Sequence, residues 1–111
     1  MKGYIVAVID GENVYIAKDK IVSYQRKGRT GYMLKLTSGN MITCEELEDE
    51  PDGFIAIRYE GIRRWIAVEH IQTVRNNVMH MGCSIKTDDG YVHKHDGYIS
   101  EVLAQMDNVK G

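Results

Sequence analysis

The sequence predicts a mainly β fold: two tandem four-strand antiparallel repeats in one domain, arranged as a sandwich or packed sheets, with a C-terminal α-helix. Three observations carry this reading. Residues 3–46 recur as residues 53–97. Short apolar runs rich in β-branched and aromatic residues are broken by acid–glycine pairs, the pattern of half-buried strands and tight turns. A helical period appears only after residue 96.

The repeat is read directly. Tyr4-Ile5-Val6-Ala7-Val8-Ile9-Asp10-Gly11 lies over Phe54-Ile55-Ala56-Ile57-Arg58-Tyr59-Glu60-Gly61 at an offset of 50. Tyr15-Ile16-Ala17 falls on Trp65-Ile66-Ala67, and Ile21 on Ile71. One inserted residue then moves the offset to 51, so that Gly31 meets Gly82, Leu34 meets Ile85 and Gly39 meets Gly90. Two copies are too few for a solenoid, so one pseudo-symmetric domain over 1–111 is expected.

Each copy has the same grammar. A first strand, 4–9 or 54–59, ends in Asp10-Gly11 or Glu60-Gly61, where glycine tolerates the positive φ of a tight hairpin. A second strand follows at 14–17 or 65–68. After a short stretch holding Ile21 or Ile71, a third strand is read at 32–36 or 83–86, and a fourth at 41–44 or 91–95. Met33/Lys35 alternate with Leu34/Leu36, so that strand is half exposed. The connector 45–53 holds six acids, no bases and the single proline. It reads as a solvated link with one helical turn around Leu47, stopped by Pro51. Tyr98, Ile99, Val102, Leu103 and Met106 share one helical face, and Asp96 is the candidate N-cap. A helix over 97–108 is predicted, lying over an open face of the sheet.

The composition excludes several classes. Hydrophobic residues are 43% and charged residues 27% of 111, as in ordinary globular domains. The longest apolar run, Tyr4–Ile9, is far short of the ~20 residues of a membrane span. No membrane association is expected, and two cysteines, Cys44 and Cys83, fit a reducing, cytoplasmic setting. Net charge is −2, so no global basic field advertises nucleic acid. Charge is nevertheless patterned. Residues 18–35 carry +5, 45–52 carry −6, 53–86 carry +3 and 87–111 carry −3.

The candidate binding residues follow from those basic zones. Arg26, Lys27 and Arg29 sit in a glycine-bounded loop that suits phosphate contact. Arg63 and Arg64 precede Trp65, and guanidinium and indole groups stack on bases or on each other. Arg75 extends the second zone. Catalytic motifs are absent: no phosphate-binding glycine motif and no paired acids beyond the turn-forming Asp88-Asp89-Gly90. Cys83 and His95 are matched only on paper as a nucleophile and base. His93 and His95, with His80 and Cys83 upstream, are weak metal candidates because no zinc-ligand spacing occurs. Exposure on an edge strand is the ordinary expectation for them. No cofactor is called for. Seven tyrosines against one Phe and one Trp suit interfaces as well as cross-strand pairs.

Phe54-Ile55-Ala56-Ile57-Arg58, Trp65-Ile66-Ala67-Val68-Glu69-His70-Ile71-Gln72-Thr73-Val74 and Ile85-Lys86-Thr87-Asp88-Asp89-Gly90 before a helix resemble the LytTR DNA-binding domain of bacterial response regulators. That resemblance implies sequence-specific DNA binding through Arg26, Lys27, Arg29, Arg63, Arg64 and Arg75. The residues themselves point first to a non-catalytic module with a protein or small-ligand partner, working as a homodimer through strand edges and alternating charge blocks.

Overall fold

Both acid–glycine pairs form the hairpin turns that the sequence predicts. Asp10 and Gly11 have φ of 52° and 78°, and Glu60 and Gly61 have 51° and 80°. Positive φ at both central residues is the type I′ geometry that matches strand twist. The structure, a computed structural model, describes residues 3–47, 51–77 and 82–110.

The first turn joins β1 (Tyr4–Ile9) to β2 (Glu12–Ala17). A 3-10 turn at Lys18–Lys20 leads into the meander β3 (Ile21–Lys27), β4 (Gly31–Leu36) and β5 (Met41–Cys44), followed by the short β6 (Glu46–Leu47). The order then recurs. The hairpin of β7 (Phe54–Tyr59) and β8 (Ile62–Ala67) precedes a 3-10 turn at Val68–His70. The meander β9 (Ile71–Asn76), β10 (Cys83–Thr87) and β11 (Val92–His95) leads to α1 (Ile99–Lys110). Three antiparallel sheets result, ordered β2-β1-β6, β5-β4-β3-β8-β7 and β11-β10-β9.

Hydrogen bonds recur with the repeat offset. Lys18 donates to the Gly3 carbonyl and Val68 to Gly53, both at 2.9 Å. Glu45 donates to Val8 and Asp96 to Arg58, both at 2.8 Å. The Asp10 amide donates to the Glu45 carboxylate at 3.1 Å, and the Glu60 amide to the Asp96 carboxylate at 3.0 Å. Each meander thus returns to the first strand of its own hairpin. At that return the chain passes so close that a Cβ on Gly82 would lie 2.3 Å from the His95 carbonyl oxygen, so only glycine fits.

Several expectations are corrected. Each half has five strands in its hairpin and meander rather than four, because the stretches after Ile21 and Ile71 are strands in their own right. Ile21, Val22, Ser23 and Tyr24 are all buried, covered on both faces. Leu47 is in a strand, not a helical turn: β6 pairs with β1, Ala7 opposite Leu47 and Val8 opposite Glu46. The remainder of the acidic connector, 48–50, lies outside the described residues. The helix runs Ile99–Lys110 rather than 97–108. Asp96 does not cap it, since its carboxylate takes the Glu60 amide. Ile99, Val102 and Met106 face the core, while Tyr98 and Leu103 are 62% and 45% exposed.

Two cores are closed in different ways. Ile5, Ala7, Ile16, Tyr24 and Leu34 form the first, and β7–β8 covers it with Phe54, Ala56 and Trp65. Tyr24 and Trp65 stand opposite each other where β3 pairs with β8, their rings stacked at 4.8 Å and 8°. The other face of the same hairpin gives Ile55, Ile57 and Ile66 to the second core, which Val102 of α1 completes. The Gln105 amide fixes the helix by donating to the Ala56 carbonyl and accepting from the Ala56 amide, both at 2.9 Å. His70 ties the two 3-10 turns together. Its Nε2 donates to the Asp19 carbonyl at 2.8 Å and its Nδ1 lies 2.7 Å from the Asp88 carboxylate. Burial alone would lower its pKa, but two acceptors at the two nitrogens raise it above the ordinary value.

Candidate binding cleft

Strand pairing sorts Arg63-Arg64-Trp65 onto opposite faces of the five-stranded sheet, because successive side chains alternate. Trp65 faces Tyr24 on the core side, with the Arg63 guanidinium 6.0 Å from the indole. Trp65 is 7% exposed, so its ring is committed to that stack. Its Nε1 is buried without a hydrogen-bond partner among the described residues. Arg64 projects to the other side beside Gln25, its register partner on β3. The Arg64 Nε donates to the Gln25 side-chain oxygen at 3.0 Å.

The turn between β10 and β11 brings a polar chain against that face. Arg64 Nη1 donates to His93 Nδ1 at 3.1 Å. A guanidinium only donates, so the imidazole proton sits on Nε2, 3.4 Å from the Thr87 hydroxyl. That hydroxyl donates in turn to Asp89 at 2.5 Å, and Lys35 closes the chain with a 2.8 Å ion pair to Asp89. Burial of His93, followed by the neighbouring Arg64 charge, lowers its pKa to about 4. Burial alone would raise the Asp89 pKa, but Lys35, Thr87 and the Tyr91 amide hold it at about 2. At neutral pH the chain therefore reads cation, neutral imidazole, hydroxyl, carboxylate, cation.

Tyr91 lies across it. Lys35 Nζ is 4.7 Å and Arg64 Cζ 5.8 Å from the ring centroid, and the His93 ring is at 4.6 Å. Arg64 and Tyr91 line two neighbouring cavities. One, about 260 Å³, adds Met33, Met41, Lys35 and His93. The other, about 270 Å³, adds Tyr59, Ile62, Val92 and Lys94. Both are slightly smaller than usual small-ligand sites. The first offers apolar surface from Met33, Met41 and Tyr91, while the second also carries the charged Glu60 and Lys94. A larger space of about 710 Å³ lies at the junction of the two copies. Matched residues from each copy line it, including Gly3 and Gly53, Tyr4 and Phe54, and Ala17 and Ala67. Its charged lining residues, Lys18, Asp19, Asp52 and Glu69, form no comparable hydrogen-bonded chain among the described residues.

The other sequence candidates lie elsewhere. Arg26 folds back on its hairpin, donating from Nη1 to the Tyr32 hydroxyl at 3.4 Å and from Nη2 to the Arg29 carbonyl. Lys27 and Arg29 are exposed at the β3–β4 end. Arg58 stands opposite Arg63 at the same end of the sheet. Arg75 is exposed on β9, in a different sheet. His93 and His95 are 2% and 8% exposed, not exposed as expected, because β11 turns Val92 and Lys94 outward instead. Cys83 stands opposite His95 in register. The His95 Nδ1 accepts the Arg58 amide at 3.1 Å and its Nε2 faces Glu101 at 3.4 Å, so both nitrogens are occupied. Burial, then Glu101, raises the Cys83 pKa, and burial first of all raises that of Cys44. Both thiols are thereby held away from the reactive thiolate. His80 lies outside the described residues. Among the described residues, no group of three or more His, Cys, Asp or Glu is placed to hold a metal ion, and no helix is long and apolar enough to cross a membrane.

Sequence reasoning missed Lys35, Asp89 and Tyr91 as one site. Asp88-Asp89-Gly90 signalled a turn and Tyr91 stood among many tyrosines. Only long-range folding brings them to Arg64. Comparison of the chain with protein-family models, curated proteins and solved structures finds no match in any of the three.

Proposed function

We propose that the protein is a non-catalytic binding module whose cleft takes a small organic anion with an apolar substituent. One observation carries this reading. Arg64 forms no ion pair among the described residues, and its hydrogen-bond partners are the neutral groups of Gln25 and His93. Its charge is therefore held in place without an ion-pair partner among the described residues, at a wall shared by two cavities. Guanidinium forks match carboxylates and related oxyanions, and Met33, Met41 and Tyr91 offer the apolar surface beside it.

Anilinonaphthalene sulfonate, an anion on an aromatic frame, is a direct probe. Fluorescence titration is expected to give one saturable site per chain. Arg64→Met is expected to weaken binding roughly ten- to hundredfold, the effect of losing a charged hydrogen bond. Arg75→Met, on the other sheet, is expected to leave it unchanged. Equal binding by wild type and Arg64→Met sinks the proposal.

A second reading, DNA binding, is favoured by one arrangement. Arg26, Lys27, Arg29, Arg58 and Arg63 lie toward one end of the five-stranded sheet, and none forms an ion pair among the described residues. Phosphate neutralisation makes affinity fall steeply with salt. Anisotropy on mixed-sequence duplex DNA would show that slope, together with a loss on changing Arg26, Lys27 and Arg29 to Ala. Absence of binding at low salt removes this reading.

A further inference from the structure

The β1–β2 hairpin repeats the form of β7–β8 but not its pairing. Tyr15 occupies the place of Trp65, and Tyr4 that of Phe54. Trp65 and its strand edge are engaged by β3, whereas among the described residues β2 pairs only with β1. Tyr15 and Tyr4 are 56% and 47% exposed.

The two-residue turn fixes which backbone groups of β2 are open. Ile9 and Glu12 flank it as a hydrogen-bonded pair, so Glu12, Val14 and Ile16 point their N–H and C=O toward β1. Those of Asn13, Tyr15 and Ala17 point away, and no described residue bonds to them. Free edges are normally protected by lysine, proline or a bulge. The six residues of β2 have no lysine, proline or bulge and a single charge, Glu12, at the turn end, while the β9 edge carries Arg75.

We infer that two copies of the chain pair through β2, antiparallel about a two-fold axis at Tyr15. This register is self-complementary. Tyr15 meets the partner's Tyr15 as an exchanged hydrogen-bonded pair, as Trp65 meets Tyr24 within the chain. Asn13 meets the partner's Ala17 on either side, so every outward group is satisfied. Glu12 comes beside the partner's Lys18, the first residue of the 3-10 turn just past the strand, so opposite charges face each other at each end. A two-fold strand pairing also closes the assembly at two copies, where a head-to-tail contact would leave open ends. The interface is separate from the Arg64 cleft and does not depend on its ligand.

Sedimentation and light scattering on the full chain test this. A dimer mass is expected at high concentration, dissociating on dilution. Tyr15→Lys is expected to halve the mass at the same concentration, with an unchanged circular dichroism spectrum and cooperative melt, since the side chain is exposed and its backbone groups are not used inside the chain. Glu12→Lys alone and Lys18→Glu alone are each expected to shift the midpoint toward monomer, and the double exchange to restore it. A monomer at every concentration overturns the proposal. So does a dimer indifferent to Tyr15→Lys, or one that the double exchange fails to rescue.

Discussion

The hairpins β1–β2 and β7–β8 share a turn geometry and an apolar inner face, yet only β7–β8 is apolar in function on both faces. Ile55, Ile57 and Ile66 serve one core, and Phe54, Ala56 and Trp65 cover the other. The first hairpin uses Ile5, Ala7 and Ile16 inward and leaves Tyr4 and Tyr15 in solvent. The comparison teaches that position in the array, not the local sequence, decides whether an aromatic strand face becomes core. An aromatic at the same repeat position is a structural wedge in one copy and a free surface in the other.

The largest effect should separate those two aromatics. Trp65→Ala removes the stack with Tyr24 and opens the joint between copies. A loss of about 3–5 kcal/mol is expected in urea unfolding. Tyr15→Ala, at an exposed position, should change the stability of the isolated chain by no more than about 0.5 kcal/mol. Equal losses would mean that the two hairpins are buried alike.

The next effect contrasts two histidines with opposite responses to pH. His93 has its pKa lowered from 6.5 to about 4, so the unfolded chain binds the extra proton first as pH falls. Stability should drop between about pH 6.5 and 4 by up to about 3 kcal/mol, and His93→Gln should flatten that slope. Asp89, held at about 2, adds a further loss below the ordinary carboxylate range. His70 behaves oppositely. Its raised pKa means that its contribution is complete below the ordinary value of 6.5 and is lost as pH rises through the folded value. His70→Gln should therefore matter most at mildly acidic pH. A denaturation series across pH with both variants checks the signs. Matching slopes for the two would refute the assignment of a neutral and a charged imidazole.

The fold was largely legible because its signals are local. Asp10-Gly11 and Glu60-Gly61 dictate turns by backbone sterics, and the 50-residue offset places strands in pairs. Leu47 misled because a short apolar residue among acids has no period, and only pairing with Ala7 makes it a strand. Asp96 had the right chemistry for a cap but found the Glu60 amide, a partner distant in sequence. The cleft was less legible for the same reason. Arg64 was singled out as part of an Arg-Arg-Trp run, yet alternation sends it away from both neighbours. Its partners Gln25 and His93, and the Asp89 and Lys35 that continue the chain, come from other elements, which no spacing rule links.

The smallest effect concerns how each copy finishes its first strand. In the first copy the edge of β1 pairs with β6 through backbone groups. In the second, the Gln105 side chain supplies both a donor and an acceptor to Ala56. One amide side chain thus does locally what a strand does elsewhere, and it is the polar clamp of α1 on β7. Gln105→Ala leaves a half-buried N–H and C=O without that partner, at a cost of about 1–3 kcal/mol. Hydrogen exchange at Ala56 should quicken roughly ten- to hundredfold, while Val8, on the edge of β1 that pairs with β6, should be unaffected. Gln105→Glu keeps the acceptor and loses the donor, so its effect should fall between wild type and Ala. If Ala56 exchange is unchanged in both variants, the helix is held by Ile99, Val102 and Met106 alone, and the two copies close their edges by packing rather than by a shared hydrogen-bonding rule.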